Sequence, residues 1–424
     1  MSSNSIVVIG DIIESKKIDN RKNAQNKLTE LLAKLNDDYQ KYIESPFKIT
    51  LGDEFYGVLN NFSPIIDILQ ILKIEFKEID FRFGIGQGKF NDNSHGAAYE
   101  NALKALKFMK NKKFSIHLIS DNDNNNFQII NLILHLYFRI FNKFTFNQKY
   151  IIYNLSRGRK QKEIAADLKS SQSSVSQSLS NINWKLLVKT VDFFKRIARN
   201  LSEIEINLRG EHLALIGAYP SRLNQENKIE NILTEINEDY SNLIRSKFVL
   251  ATLSDEAEDY FEFQALFKNE ITDYQKLVYL LVDISYEVDE LYLGLGSGGI
   301  STEIKEQALG MDGPAFYNAR EALNKSFTDG ISLNLVSGEN LVDNSLSIIL
   351  SLLIEIIKKW TVKQKKAVDL RKTGLSQNKI KEKMELSARS TLVEHLQRAG
   401  WKEYDYIVKK LAELLAKNTT LIKY

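Results

Sequence analysis

The chain has 424 residues, of which 43% are hydrophobic and 10% aromatic, which is enough for several packed cores and argues against a disordered protein. It contains no cysteine, which excludes a disulfide framework and thiolate zinc sites, and its five histidines lack metal-ligand spacing. The formal net charge of +3 conceals a segregation, because residues 141–200 carry +9, residues 358–424 carry +10 and the remainder carries −16.

The first 125 residues are predicted to form an α+β domain. The apolar strand SIVVIGDII comes first, and FRFGIGQGKF is a later strand. The other elements are an amphipathic helix (about 21–42), a hairpin (47–59), and two helices (about 63–76 and about 96–109). This βαββαβ-like order is typical of a sheet with helices on one face.

Two carboxylates are expected to meet at one end of this sheet. Asp11 ends the first strand, and Asp53 follows Gly52 at the tip of the hairpin. Two neighbouring carboxylates repel each other unless they share a cation, which is a common way to hold Mg²⁺. Asp11 and Asp53 are therefore predicted metal ligands.

The next segment, 126–202, is predicted to be all-α. The apolar run FQIINLILHLYFRIF (127–141) is too short to span a bilayer and is predicted to be a linker helix. KQKEIAADL and QSSVSQSLSNI follow as two short helices joined by a tight turn, and the small Ala165 allows them to cross closely.

This helix pair has the side chains expected of a DNA-binding surface. The second helix would present short hydrogen-bonding side chains to base edges, and basic side chains would lie where phosphates pass. The predicted contact residues are Arg157, Arg159, Lys160, Lys162, Gln172, Ser173, Ser176 and Gln177.

The second half of the chain repeats the first in diverged form. LALIGAYPSRL echoes IVVIGDIIESKK, LYLGLGSGGI echoes FRFGIGQGKF, and DGPAFYNAREAL echoes HGAAYENALKAL. LATLSDEAEDYF is a near-copy of KITLGDEFYGVL and aligns Asp255 with Asp53. The predicted domains, in the order A, B, A′ and B′, are 1–125, 126–202, 203–340 and 341–424.

The second basic segment repeats the helix pair with different exposed residues. LSQNKIKEKM and ARSTLVEHLQRAGW are its helices, and the predicted DNA contacts are Arg389, Ser390 and Arg398. Both basic segments resemble the helix-turn-helix of sigma-factor region four and of many response regulators. Two different recognition helices on one chain would suit an asymmetric or direct-repeat DNA site. Alternatively, a homodimer of the chain would bind a longer, composite DNA site.

The motifs IGDIIESKK, ITLGDEFYGVL, FRFGIGQG and GMDGPAFYNAREAL resemble the SatD family, and behind it the class III nucleotidyl cyclase and GGDEF superfamily. The resemblance implies two ferredoxin-like, cyclase-type domains that alternate with the helix-turn-helix domains. It implies Mg²⁺ on Asp11 and Asp53, and a nucleotide ligand. Arg320 and Asn318 would be catalytic if the protein is an enzyme. Ligand-binding positions would be Gly52, Gly86, Asp312 and Gly313.

The two halves have lost different parts of this pattern. Domain A keeps Asp11 but has Leu103 where A′ has Arg320, and A′ has Ala218 where A has Asp11. One composite site, with carboxylates from A and the arginine from A′, is therefore expected.

Three functions stay open. The first is a cytoplasmic DNA-binding transcriptional regulator that senses a nucleotide or phosphorylated ligand in the composite site. The second is a nucleotidyl cyclase-type enzyme, and the third is a scaffold without a ligand. The sequence start lacks the pattern of a signal peptide, and no membrane partner is expected.

Overall fold

The structure is a computed structural model. It describes residues 4–13, 21–50, 54–76, 79–91, 96–112, 114–122, 124–199, 212–223, 225–252, 260–268, 271 and 273–418. The chain divides into two compact units, Met1–Glu203 and Ile204–Tyr424. The division of each unit into a sheet domain and a helical domain stays a prediction.

The first unit is a mixed α+β structure. Its strands are β1 (Ser5–Ile12), β2 (Ile43–Ile49), β3 (Glu54–Leu59), β4 (Phe81–Gly88) and β5 (Ile116–Ser120). Its helices are α1 (Arg21–Asp38), α2 (Ile65–Glu75), α3 (Gly96–Lys112), α4 (Asn125–Phe141), α5 (Phe146–Leu155), α6 (Gln161–Asp167), α7 (Gln172–Ser180) and α8 (Trp184–Arg199).

The second unit has the same sequence of elements among its described residues. Its strands are β6 (His212–Pro220), β7 (Ile244–Thr252), β8 (Tyr260–Phe267), β9 (Tyr292–Gly298) and β10 (Leu333–Val336). Its helices are α9 (Glu226–Asp239), α10 (Tyr274–Glu287), α11 (Pro314–Asp329), α12 (Asn340–Ile357), α13 (Val362–Lys372), α14 (Gln377–Lys383), α15 (Arg389–Ala399) and α16 (Trp401–Asn418).

The two sheets have the same topology. The strand order is β2-β3-β1-β4-β5 in the first unit and β7-β8-β6-β9-β10 in the second. The central strand, β1 or β6, is antiparallel to both of its neighbours, and the last two strands are parallel. Every residue of β1 and of β6 is buried, which explains their continuous apolar sequences.

The hairpin of the second unit differs from its predicted form. In the first sheet Asp11 pairs with Glu54, and in the second sheet Ala218 pairs with Glu262. Glu262 is therefore the structural counterpart of Glu54, and the connection before it is longer than in the first unit. Asp255, which the sequence match aligned with Asp53, lies outside the described residues.

One described helix, α12, is long and apolar enough to cross a membrane. Of its apolar stretch, 78% is buried inside the structure, as in the core helix of a soluble protein. This helix packs on β10, and Ser351 on it accepts a hydrogen bond from the Leu333 backbone nitrogen at 3.2 Å and donates one to the Leu333 carbonyl at 2.9 Å.

Candidate functional site

The first helix pair, α6 and α7, buries an apolar face and exposes a polar one. Ile164 and Ala165 of α6 are buried, as are Val175 and Leu179 of α7. The turn between the two helices passes through Lys169, whose φ of 48° lies in the left-handed region. The four predicted base-reading side chains of α7, Gln172, Ser173, Ser176 and Gln177, are all exposed.

The second helix pair, α14 and α15, has the same construction. Ile380, Leu392 and Leu396 are buried, and the turn residue Glu385 has a φ of 54°. The predicted contact residues Arg389, Ser390 and Arg398 are exposed.

Ion pairs and hydrogen bonds hold the side chains of the second helix pair. Arg389 donates from Nε to the Gln377 side-chain oxygen at 2.7 Å. Arg398 lies 2.5 Å from Glu394, one turn earlier on the same exposed face. An exposed pair of this kind contributes about 0–1 kcal/mol, so it can open for another partner at low cost.

The four basic side chains predicted to contact phosphates in the first unit are not equivalent. Arg159 donates to Asp167 at 2.6 Å and to the Asn154 side chain at 3.0 Å, so it ties α5 to α6. Arg157 donates to the Tyr39 hydroxyl at 3.2 Å. Lys160 and Lys162 are exposed and make no ion pair within the described part of the chain.

In the second unit, ion pairs join helix α13 to helix α10, which lies between strands β8 and β9 in the chain. The sequence did not predict these contacts. The carboxylate of Asp283 on α10 lies 2.9 Å from Lys372 and 3.2 Å from Lys365, both on α13. Asp369 pairs with the same two lysines, and the Tyr240 hydroxyl donates to Asp283 at 2.8 Å. Burial opposes ionisation of Asp283, but the two ammonium groups outweigh it and hold the pKa of this carboxyl below its usual range.

The first unit uses other residues for the same purpose. Lys195 on α8 pairs with the buried Asp67 on α2 at 2.9 Å, and Arg157 reaches Tyr39 just after α1. Burial raises the pKa of the Tyr39 hydroxyl well above its usual range, so it stays protonated beside the guanidinium. The two units therefore share a fold but not the polar contacts between their parts.

Asp11, one of the two predicted metal ligands, belongs to a charged group that we call the strand-end cluster (Asp11, Glu54, Arg82 and Lys110). The Asp11 carboxylate is buried and lies 3.6 Å from Arg82 and 3.2 Å from Lys110. Lys110 also lies 3.7 Å from Glu54. Asp53 and Gly52 lie outside the described residues.

The described residues give only part of the predicted magnesium site, because Asp53 lies outside them, so the site stays a prediction. Mg²⁺ is usually held by one or two carboxylates together with waters and substrate phosphates. Here two cationic side chains already neutralise the carboxylate, and the described residues contain no group of three or more potential metal ligands.

The second unit replaces the strand-end cluster with aromatic side chains. The sheet register matches Asp11 with Ala218 and Arg82 with Tyr292, and the helix register matches Lys110 with Phe327. The ring of Phe327 packs against Tyr292 and Tyr260, with centroids 4.7 Å and 5.1 Å apart.

The predicted catalytic arginine lies beside the replaced cluster. Glu262 keeps the place of Glu54 and forms an ion pair with Arg320. Arg320 occupies the position of Leu103 in the first unit, as the repeat predicted, since Ala102 and Ala319 contact Gly86 and Gly296 in the same way.

Two predicted ligand or catalytic residues make a strand-to-helix contact that recurs in the other unit. A Cβ on Gly86 would lie 2.0 Å from the Ala98 carbonyl, so this glycine allows α3 to pack against β4. Asn318 donates to the Ser297 carbonyl at 2.7 Å, and Asn101 donates to the Gln87 carbonyl at 3.0 Å. These contacts join strand to helix in each unit, and a ligand-binding or catalytic role for either residue stays a prediction.

Asp312 and Gly313 immediately precede α11. Asp312 accepts hydrogen bonds from the Gly313 backbone nitrogen and the Tyr317 hydroxyl, both at 2.8 Å. Gly313 has a φ of 138°, and a Cβ there would lie 2.6 Å from the Ser301 nitrogen. Both residues therefore shape the turn that leads into the helix.

Comparison with known proteins gives one family. The sequence model of the SatD family matches residues 5–200 and again residues 216–415, so each match runs through the sheet and the helices that follow it. No curated protein and no solved structure matches the chain. Because the two matches together cover most of its length, the chain belongs to the SatD family and contains the family's unit twice.

Proposed function

We propose that the protein is a DNA-binding transcriptional regulator in which both helix pairs act as helix-turn-helix motifs. The observation that carries the proposal is the exposed polar face of α7 and of α15, each in a segment of concentrated positive charge. Residues 141–200 carry +9 and residues 358–424 carry +10. A short helix with exposed hydrogen-bonding side chains beside unpaired lysines suits base edges flanked by phosphates.

The sheets support a ferredoxin-like, cyclase-type fold as the platform for these motifs. Both have a central strand antiparallel to its two neighbours, as in a βαββαβ sheet, with one parallel strand added. The enzyme alternative is less favoured, because it needs Asp11 available to a metal and Arg320 available to a phosphate. Asp11 pairs with Arg82 and Lys110, and Arg320 pairs with Glu262.

Ligand sensing remains part of the proposal in a form that needs no magnesium at Asp11. Within a unit, the sheet and the helices that follow it could adopt two relative arrangements. A ligand that binds one arrangement more tightly than the other would shift the equilibrium between them and so change how well the helix pair can reach DNA. Thermal unfolding with each nucleoside triphosphate, without divalent metal, tests this part, since a bound ligand raises the melting temperature.

DNA binding is tested by charge reversal on the first helix pair. Lys160→Glu with Lys162→Glu should weaken binding of the full chain to random-sequence duplex, because both exposed lysines would face phosphates. Lys22→Glu with Lys34→Glu, both exposed on α1, carries the same change of charge, is the matched control and should leave the affinity nearly unchanged. Equal loss of affinity in the double variant and the control would refute the assignment of the interface.

A further inference from the structure

The two predicted recognition helices can be aligned residue by residue. Val175 and Leu179 of α7 are buried, as are Leu392 and Leu396 of α15, and Trp184 and Trp401 begin the helices that follow. The same offset matches Gln172 with Arg389, Ser173 with Ser390 and Gln177 with Glu394.

Two of the pairs that differ at this offset replace an amide with a charged side chain. Gln172 and Gln177 are exposed on α7, and Arg389 and Glu394 are exposed at the same places on α15. Glu394 forms an exposed ion pair with Arg398, which opens at low cost when Glu394 accepts from a base. A glutamine pairs with adenine through N6 and N7, an arginine pairs with guanine through O6 and N7, and a glutamate accepts from the cytosine amino group. The chemical class of base favoured at these positions therefore changes between the units.

The arginine of the second helix is also held in place. Arg389 is the first residue of α15, where recognition helices most often touch bases, and its Nε donates to Gln377 at 2.7 Å. This bond fixes the Nε end of the Arg389 guanidinium group. The two terminal nitrogens of that group are left to contact a DNA base. Gln377 would thus be a positioning residue.

We propose that the two units read different base pairs: the first unit favours adenine through Gln172 and Gln177, and the second favours guanine through Arg389 and cytosine through Glu394. The inference rests on the proposed DNA-binding function and adds the base preference of each half of the binding site.

The test is selection of duplexes from a random library by the full-length chain, followed by sequencing. The wild type should enrich a motif with one adenine-containing half and one guanine-containing half. Arg389→Gln should remove the guanine preference and leave the other half unchanged. Each lost bidentate contact should reduce discrimination against the wrong base about ten- to a hundredfold.

A variant with the opposite substitution tests the inference by a gain of base preference, which a misfolded protein could not show. Gln172→Arg should change the adenine preference in the half of the motif read by the first unit to a guanine preference. Because Gln172 is exposed, the melting temperature of this variant should match that of the wild type. Two identical halves in the wild-type motif, or an unchanged guanine preference in Arg389→Gln, would overturn the inference. Salt-sensitive binding without any motif would also overturn it while sparing the proposed function, and no binding at all would overturn both.

Discussion

Asp11 illustrates how neighbouring side chains decide what a buried carboxylate does. The sequence predicted a metal ligand from its place at the end of a strand. In the folded chain, Arg82 lies opposite it across the β1–β4 pair and Lys110 reaches it from α3. The carboxylate therefore serves as the counter-ion of two cations.

Replacing Asp11 should destabilise the first unit whether or not magnesium is present. We expect Asp11→Asn to cost about 1–2 kcal/mol, because it leaves the partly buried Arg82 guanidinium without its carboxylate partner. Thermal unfolding with and without millimolar MgCl₂ measures this.

Asp37→Asn, an exposed carboxylate on α1, is the control and should change stability by less than about 0.5 kcal/mol. A magnesium-dependent rise in the melting temperature of the wild type that is lost in Asp11→Asn would support the predicted metal site and contradict the purely ionic role of Asp11.

Asp283 should make the stability of the second unit depend on pH. Lys372 and Lys365 hold its pKa below the unfolded value, so its contribution is present above about pH 4 and is lost as the pH falls through the folded pKa. Asp283→Asn should therefore cost about 3 kcal/mol near neutral pH, because it leaves two buried lysines with one carboxylate fewer.

Denaturant unfolding of wild type and Asp283→Asn at about pH 7 and about pH 3 checks the sign. The difference in unfolding free energy should shrink in acid. A difference that is constant or larger in acid would mean that the charge of Asp283 contributes nothing to stability.

The contact between strand and helix in the second unit depends on glycine. A Cβ on Gly296 of β9 would lie 2.1 Å from the Ala319 nitrogen and 2.3 Å from the Ala315 carbonyl, both in the backbone of α11. Gly296→Ala should therefore cost about 3 kcal/mol, since the whole helix must move away. The melting temperature of the full chain provides the measurement.

Gly299, three residues later, is the matched control because a Cβ there meets nothing within 4 Å. Gly299→Ala should leave stability within about 0.5 kcal/mol of the wild type or raise it slightly. If both alanines were equally tolerated, the close packing of β9 against α11 would be wrong.

Local patterns predicted the elements well but not how they contact each other. The predicted helix over about 63–76 is α2, and the apolar residues Val175 and Leu179, spaced one turn apart, are buried as their spacing indicated. The bond between Asp283 and Lys372 joins residues 89 positions apart, and no local pattern indicates such a contact. Sequence similarity matches Asp255 with Asp53 because both lie in acidic stretches. The sheet register instead makes Glu262 the counterpart of Glu54, so the sequence match does not give the hairpin register of the second unit.

For the candidate site too, local patterns predicted which side chains are exposed but not which side chains they contact. Exposure of the polar residues on α7 follows from helical periodicity, so the sequence sufficed for them. The pairing of Arg159 with Asp167 depends on how α5 meets α6, and the loss of the strand-end cluster in the second unit depends on three separate elements. Such contacts need tertiary structure.

The whole chain separates its charges by segment, although its pI of 8.5 does not reveal this. The two basic segments carry +9 and +10, and the remaining residues carry −16. This arrangement favours polyanion binding by the helical parts and disfavours it elsewhere. The salt dependence of binding is the property that follows most directly from it.

DNA binding by the basic helix pairs is therefore tested most directly by the affinity of the full chain for random duplex, measured by fluorescence anisotropy over a range of salt concentrations. Four exposed lysines in or next to the helix pairs, Lys160, Lys162, Lys379 and Lys383, predict a log–log slope of about −3.6, since each phosphate contact contributes about −0.9. Lys160→Glu with Lys162→Glu should make that slope shallower by about two. Absence of binding, or binding that does not weaken with salt, would contradict the account.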